Sequence, residues 1–314
     1  MSAIKNYLSL IKFSHTIFAM PFAVIGFFLA MRSIEAFSVA LGPGWRTTIS
    51  SLQGEHQNIP QSTADLVTRF LLVVLCMVLA RSAAMAFNRY LDRSFDALNP
   101  RTAIREVPKG VITPKNALTF TIICAVLFIV TTYFINLLCF ALSPVALAVI
   151  LGYSYTKRFT PLCHLILGLG LSLAPIGAYL AVTGQFHWLP ILFSFAVLFW
   201  VSGFDIIYAL QDEEFDRNNG LYSLPASLGK GAALHISELL HLLSAACVVA
   251  AGRWGGFGWL YWIGVLLFIG MLIYQHSIIK PNDLSRVNLA FMTANGIASV
   301  AFAVFVISDL LLAW

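Results

Sequence analysis

The chain has 314 residues, of which 59% are hydrophobic and only 11% are charged, and its formal net charge is +5. This composition excludes an ordinary water-soluble protein and indicates a polytopic membrane protein. Apolar runs of about 20 residues, the length that crosses a bilayer, recur along the chain and leave no room for a separate soluble domain. We therefore predict one all-α membrane domain over residues 1–314.

Nine apolar runs are predicted to form transmembrane helices. Their predicted bounds are 15–34, 66–87, 116–135, 138–156, 162–182, 189–210, 232–251, 257–279 and 288–312. The first run lacks a small-residue cleavage site, so we interpret it as a retained helix and not as a signal peptide. The five cysteines show no close pairing and are predicted to be small core residues.

The distribution of lysine and arginine predicts the orientation in the membrane. The N-terminus and the loops on its side carry 14 of these residues, and the opposite side carries 4. The positive-inside rule makes the first side cytoplasmic, which is the cytoplasmic face of the inner membrane if the protein is bacterial. The longest loop, 35–65, then lies outside, and we predict that it carries no chemistry.

The second predicted span ends in an acidic motif, within a cytoplasmic loop over 88–115. Asn88, Asp92 and Asp96 recur every four residues, which predicts one face of a single helix. Arg101 and Arg105 follow closely enough for the loop to return cationic groups to the acidic face. Acidic and basic side chains are therefore predicted to meet beside the apolar spans.

The sixth predicted span ends in a second acidic motif, within a loop over 205–231. Asp205, Asp212 and Asp216 are spaced to share one helical face, and Tyr208 lies on the same side. Because four spans separate the two motifs, both are predicted to emerge on the cytoplasmic side. The sequence thus predicts one site built from two distant segments.

Two acidic motifs at the C-terminal ends of helices repel each other unless a cation lies between them. Mg²⁺ binds through one or two carboxylates together with substrate phosphates, so four aspartates are enough for two Mg²⁺ ions and a diphosphate. A diphosphate bound beside apolar helices predicts a lipid substrate that ionises at an allylic C–O bond. The aspartates are Asp92, Asp96, Asp212 and Asp216, and the cations predicted to meet the phosphate oxygens are Arg101, Arg105, Lys157 and Arg158.

Three groups of polar residues together carry a family resemblance. They are N-x-x-x-D-x-x-x-D (Asn88, Asp92, Asp96) with R-T-x-x-R (Arg101, Thr102, Arg105), Y-x-x-x-K (Tyr153, Lys157) with Arg158, and D-x-x-Y-A-x-x-D-x-x-x-D (Asp205, Tyr208, Asp212, Asp216). The combination resembles the UbiA superfamily of intramembrane aromatic prenyltransferases over nearly the whole chain. The family often has Asn-Asp where this chain has Asn88-Arg89, and Arg-Pro-Leu-Pro where it has Arg105-Glu106-Val107-Pro108.

The resemblance implies nine helices around a central cavity and the transfer of a polyprenyl group. It implies that a Mg²⁺-diphosphate is bound by Asn88, Asp92, Asp96, Asp212 and Asp216. It further implies that Tyr153, Lys157, Arg158 and Arg105 contact the diphosphate or the acceptor, and we assign Tyr153 and Lys157 to the catalytic group. Arg101 and Tyr208 are predicted to bind substrate.

Arg81 points to the acceptor, because an ionisable residue inside a span indicates a functional site. It precedes Asn88 by two helical turns, roughly 10 Å, and the segment 81–88 resembles that of 4-hydroxybenzoate polyprenyltransferases. We predict that Arg81, with Arg158, binds the carboxylate of an aromatic acid; helix packing is the alternative role for Arg81. Asp205 is predicted to orient or deprotonate the acceptor hydroxyl, with an ion pair to a cytoplasmic cation as the alternative.

The leading hypothesis is Mg²⁺-dependent transfer of a polyprenyl group to 4-hydroxybenzoate or a similar aromatic acid in ubiquinone- or menaquinone-type quinone biosynthesis. The alternatives are a naphthoate, haem or another acceptor in the same family, and a cation-coupled transporter, whose ionisable groups would lie near the bilayer midplane. The partners are the two substrates and the lipid bilayer. We predict no nucleic-acid partner, the sequence identifies no protein partner, and His15 is predicted to be structural.

Overall fold

The computed structural model describes residues 3–11, 18–41 and 62–312. Within these ranges every regular element is a helix, apart from one isolated bridge between Lys280 and Asp283. The helices are α1 (Ala3–Leu10), α2 (Met20–Leu41), α3 (Thr63–Leu91), α4 (Arg93–Leu98), α5 (Pro114–Tyr133), α6 (Leu137–Thr156), α7 (Cys163–Thr183), α8 (Trp188–Ala209), α9 (Glu213–Asn218), α10 (Leu224–Gly255), α11 (Trp259–Ile278) and α12 (Asn295–Leu312). A 3-10 turn, Leu210–Asp212, joins α8 to α9, and a π-helix, Leu289–Ala294, leads into α12. His15 and most of the predicted outer loop lie outside the described residues.

Eight helices of the described chain are long and apolar enough to cross a membrane, and the apolar stretch Met20–Ile34 of α2 is a shorter ninth. The prediction of an all-α protein with nine apolar helices is therefore confirmed for the described ranges. Which face of the membrane each end occupies stays a prediction.

The largest difference in helix bounds is at α10, which begins at Leu224 and not near residue 232. Ser223 caps its start by accepting the backbone N–H of Ala226 at 3.3 Å. Gly229 then breaks the helix with a φ of +81°, a conformation that favours glycine. Because the apolar run begins only after this break, the sequence pattern hides the first turns.

Helix α8 lies at the centre of the bundle, between α7 and α10, and glycines allow the close approach. A Cβ on Gly168 of α7 would lie 2.5 Å from the carbonyl oxygen of Leu198, and one on Gly203 of α8 would lie 2.4 Å from the ring of His241. Small residues at such crossings let helix backbones pack tightly in a membrane protein. The central helix is therefore held in register on both sides.

A buried polar network ties α8, α11 and α12 together around Asn295, which is fully buried. Its Oδ1 accepts hydrogen bonds from Trp200 Nε1 at 2.9 Å and from Gln275 Nε2 at 2.8 Å. Its Nδ2 donates to the carbonyl oxygens of Ala290 and Phe291 at 3.2 and 3.0 Å. These two carbonyls belong to the π-helix, so Asn295 stabilises an irregular turn that helices rarely adopt.

Candidate active site

The first acidic motif does not form one continuous helix, which corrects the sequence prediction. Helix α3 ends at Leu91, and Asp92 joins it to α4 with a φ of −87° and a ψ of 6°. Asn88 Nδ2 donates to Asp92 Oδ2 at 2.8 Å across the break. Asn88, Asp92 and Asp96 nevertheless line the same polar cavity.

The second acidic motif is also interrupted, because α8 ends at Ala209 and the 3-10 turn precedes α9. Its four predicted residues still face the cavity lined by the first motif, as the matched positions of the two motifs predicted. Of the predicted site residues, those that line this cavity of about 270 Å³ are Arg81, Asn88, Asp92, Asp96, Arg101, Arg105, Tyr153, Lys157, Asp205, Tyr208, Asp212 and Asp216. Arg158 does not line the cavity but pairs with Asp92, which does. Their chemical roles stay predictions.

Two of the four predicted metal-binding aspartates pair with arginines of the loop after the first motif. Arg101 Nε donates to Asp212 Oδ1 at 3.0 Å, and Arg101 Nη2 pairs with the other oxygen, which makes a two-pronged contact. Arg105 Nη1 lies 2.6 Å from Asp96 Oδ1. Arg101 also donates to the hydroxyl of Tyr208 at 2.8 Å, so this loop joins the two motifs.

The other two aspartates pair with cations that follow α6. Arg158 Nη2 lies 2.9 Å from Asp92 Oδ1, and Lys157 Nζ lies 2.7 Å from Asp216 Oδ1. Asp216 is completely buried and also accepts the hydroxyl of Ser223 at 2.9 Å. The cations that the acidic motifs were predicted to need are thus supplied, in this structure, by basic side chains.

Burial and these pairs set the protonation of the groups that lie outside the apolar spans. Burial raises the pKa of Asp92, an effect that the nearby Arg158 guanidinium opposes. Burial alone would lower the pKa of Lys157, but the Asp216 carboxylate more than offsets this and raises it. The pKa of Arg101 is likewise raised, because its contact with Asp212 outweighs desolvation. Both basic groups therefore stay charged at neutral pH.

A divalent cation fits this cavity only together with other oxygen ligands. Among the described residues, no group of three acidic, histidine or cysteine side chains is close enough to hold a metal ion alone. Oδ2 of Asp96 is buried and has no hydrogen-bond partner within the same ranges, so one carboxylate oxygen is free to ligate. This donor set suits Mg²⁺, which is bound through few carboxylates and substrate phosphates.

An apolar cavity of about 420 Å³ lies next to the polar one, between α3, α5, α6 and α7. Both are lined by Arg81, Met85, Tyr153, Leu167 and Leu171, so these residues stand at the junction. Nε of Arg81 is buried and makes no hydrogen bond within the described part of the chain. The arrangement offers a polar chamber for a charged head group, an apolar chamber for a tail, and a cation between them.

Three residues at the site were missed by the sequence interpretation. His164 Nδ1 lies 2.7 Å from Asp205 Oδ2, and Asn99 Nδ2 donates to Asp212 Oδ1 at 3.0 Å. Arg89 lines the cavity, is 2% exposed, and has no hydrogen-bond partner at Nε among the described residues. Of the three, only Arg89 could have been noticed in the sequence, because it stands where the family often has the Asp of Asn-Asp. No spacing rule connects His164 to the motifs.

Comparison with known proteins identifies the family and the fold. The model of the UbiA prenyltransferase family matches residues 57–302. The 4-hydroxybenzoate octaprenyltransferase of Nitrosomonas europaea is 34% identical over 238 residues, which are 73% of this chain and 78% of that protein. An apo UbiA homolog from Aeropyrum pernix has 27% identity and a TM-score of 0.73, covering 95% of this chain and 98% of that one. A UbiA homolog from Archaeoglobus fulgidus bound to DMAPP and Mg²⁺ has 20% identity and a TM-score of 0.70, covering 97% and 99%.

The helical bundle and its joined cavities are those of an intramembrane prenyltransferase. The chain belongs to the UbiA prenyltransferase family, and its chemistry is that of an aromatic prenyltransferase. The predictions of family and enzyme class are confirmed, and the transporter alternative is set aside.

Proposed function

We propose that the protein transfers a polyprenyl group from an allylic polyprenyl diphosphate to 4-hydroxybenzoate or a similar aromatic acid, as a step of quinone biosynthesis. The observation that carries this proposal is the position of Arg81. It is a cation without a hydrogen-bond partner at Nε in the described structure, and it lies where the polar chamber meets the apolar one. A carboxylate on the acceptor would satisfy it.

The donor would lie with its diphosphate among the aspartates and its isoprenoid tail in the apolar cavity. Mg²⁺, in two ions, would be held by carboxylate and amide oxygens and would supply charge neutralisation for the departing diphosphate. The residues that would hold it are Asn88, Asp92, Asp96, Asp212 and Asp216. The relative bound to DMAPP and Mg²⁺ supports this assignment, as does the free Oδ2 of Asp96.

The basic side chains would complete the diphosphate site. Arg101, Arg105, Lys157 and Arg158 already lie against the four aspartates. Phosphate oxygens placed among them would accept charge-assisted hydrogen bonds, which strengthen as the leaving group gains charge. Tyr153, at the chamber junction, and Tyr208 would present aromatic faces and hydroxyls to the reacting carbon.

Prenyl transfer would break one C–O bond of the donor and form one C–C bond to the acceptor ring. The C–O bond at the allylic carbon breaks, and its electron pair leaves with the diphosphate. The acceptor ring carbon forms the new C–C bond while the acceptor hydroxyl gives its proton to Asp205. The ring carbon then loses its own proton to solvent, and Asp205 returns the first proton to the oxygen. The apolar lining of the tail chamber would keep water away from the allylic cation.

The sidedness of the site is part of the same proposal. The excess of lysine and arginine in the loops on the N-terminal side supports a cytoplasmic opening, in the inner membrane of a bacterium. A water-soluble aromatic acid would then reach Arg81 from the cytoplasm, and the lipid donor would enter from the bilayer. Within the same family, a naphthoate also carries the carboxylate that Arg81 requires, whereas haem is a poorer match to a single arginine.

A purified preparation tests the proposal directly. Radiolabelled farnesyl diphosphate and Mg²⁺ are supplied with 4-hydroxybenzoate, a dihydroxynaphthoate or the uncharged 4-hydroxybenzamide. We expect prenylated product and released diphosphate with an acid but not with the amide, and loss of both on chelation. Arg81→Leu should raise the KM of the acceptor and leave the KM of the donor unchanged. Arg93→Leu, which removes an exposed arginine that does not line the cavity, is the matched control. Prenylation of no acid would overturn the proposal.

A further inference from the structure

We propose that His164 is a positioning residue that holds Asp205 in the orientation needed to receive the acceptor's hydroxyl proton. This inference rests on the proposed function, because it concerns the proton step of aromatic prenylation. It starts from a partly buried contact between Asp205, the first residue of the second acidic motif, and His164, which belongs to neither motif. His164 lies in the first turn of α7, Asp205 lies near the end of α8, and both line the polar cavity.

The two ring nitrogens of His164 have different partners, and these fix the tautomer. Nε2 accepts the backbone N–H of Leu224 at 3.4 Å, so this nitrogen carries a lone pair. Nδ1 then carries the hydrogen and donates it to Asp205 Oδ2 at 2.7 Å. His164 therefore donates to the carboxylate through Nδ1, while Nε2 faces the backbone N–H of Leu224.

Asp205 differs from the other carboxylates of the cavity in the partner it has. Asp92, Asp96, Asp212 and Asp216 each lie within 3 Å of an arginine or lysine nitrogen. Within the described ranges, the ion-pair partner of Asp205 is His164 and no lysine or arginine. The orientation of Asp205 is therefore set by one imidazole nitrogen, whereas the other four carboxylates are held by lysine or arginine side chains.

One carboxylate oxygen of Asp205 is therefore held by His164, and the other is accessible from the cavity. Oδ2 is bound by a ring that is 3% exposed, while the Asp205 side chain retains 24% exposure. Oδ1 carries no hydrogen bond to any described residue, so it is available to an acceptor hydroxyl in the cavity. Fixing a proton acceptor in this way lowers the entropic cost of the proton transfer.

The ring of His164 is in turn held by the first residue of α10, next to a serine that binds Asp216 of the second acidic motif. Leu224, which donates to Nε2, follows Ser223, whose hydroxyl binds Asp216. His164 therefore connects the start of α10 to Asp205. If His164 were only structural, its contact with Leu224 would matter and its contact with Asp205 would not. The two contacts use different nitrogens, so substitutions can separate them.

The experiment compares three replacements of His164. His164→Asn places an amide N–H near the position of Nδ1 and keeps the donor to Asp205. His164→Gln places its amide near the position of Nε2 and keeps an acceptor for Leu224. His164→Leu removes both. We expect kcat to fall by roughly 100-fold in the Leu and Gln variants and to be largely recovered in the Asn variant, with the KM of the donor unchanged in all three.

A double-mutant cycle with Asp205→Asn supplies a second readout. If His164 acts through Asp205, His164→Leu causes no further loss of kcat once Asp205 is replaced, and thermal melting identifies any variant that is misfolded. Recovery by Gln and not by Asn, or additive losses in the cycle, would overturn the inference and leave the proposed function standing. A wild-type protein that prenylates none of the aromatic acids would overturn the proposed function, and the inference with it.

Discussion

Replacing Asn295 tests whether the π-helix is held by this one side chain. Asn295→Leu keeps the branching at Cγ but removes four hydrogen bonds, two from Trp200 and Gln275 and two to the carbonyls of Ala290 and Phe291. Side-chain hydrogen bonds inside membrane proteins contribute about 0.6 kcal/mol each on average. The variant should therefore lose about 2.4 kcal/mol of unfolding free energy, or roughly 50-fold in the equilibrium constant.

The same change should reach the active site through Phe291. Its ring lies 4.2 Å from that of Tyr208 and lines the polar cavity, so a relaxed π-helix would move both rings and lower kcat. Reversible unfolding in mixed micelles measures the stability, and prenylation measures kcat. Thr121→Val is the control, since it removes one buried hydrogen bond within α5. A loss for Asn295→Leu no larger than for this control would refute the reasoning.

Three further changes have expected outcomes. Gly26→Ala should lower the unfolding free energy by about 1–3 kcal/mol, because the new Cβ would lie 2.1 Å from the carbonyl oxygen of Pro175. The melting temperature measures this loss, and Gly152→Ala, whose Cβ would have no atom within 4 Å, should leave it unchanged. Ala80→Phe narrows the apolar cavity and should reduce kcat/KM for a long polyprenyl diphosphate by about tenfold or more; an equal reduction for dimethylallyl diphosphate would contradict the tail assignment. Arg89→Met removes a buried cation whose Nε has no hydrogen-bond partner among the described residues, so it should not lower the melting temperature. Because Arg89 lines the polar cavity, the donor KM should rise; a destabilised variant would show that the charge of Arg89 is compensated.

The helices were predictable because their signal is local. Apolar runs of bilayer length can be recognised from the sequence alone. Counting the π-helix with α12, the predicted and observed bounds agree within four residues except at α2, which runs on to Leu41, and at α10. There the helix starts with a capping serine and then breaks at Gly229, so its first turns carry no apolar periodicity. The meeting of the two acidic motifs was also predictable, because it required only the number of spans between them.

The break at Asp92 was not predictable, because its cause lies elsewhere in the chain. The sequence around Asp92 contains no glycine or proline that would end α3. Arg158 donates to the carbonyl of Leu91 at 3.2 Å and to Asp92 Oδ1 at 2.9 Å, so it takes up a carbonyl that the helix end leaves free. Such a contact replaces a local stop signal. The pairing of His164 with Asp205 was hidden for a similar reason, because the two residues are 41 positions apart and no local pattern connects them.

The geometry of the site therefore depends on the packing of the bundle more than on either motif. Arg101 and Asp212 are 111 residues apart, and Arg158 and Asp92 are 66 apart, whereas Arg105 and Asp96 are separated by only 9. Like-charged aspartates in one motif are mildly unfavourable by themselves, and a cation from a distant segment relieves that repulsion only when the helices are in register. A substitution that loosens the contact between α7 and α8 should thus disturb both motifs together, while a substitution within one motif leaves the pairs of the other in place.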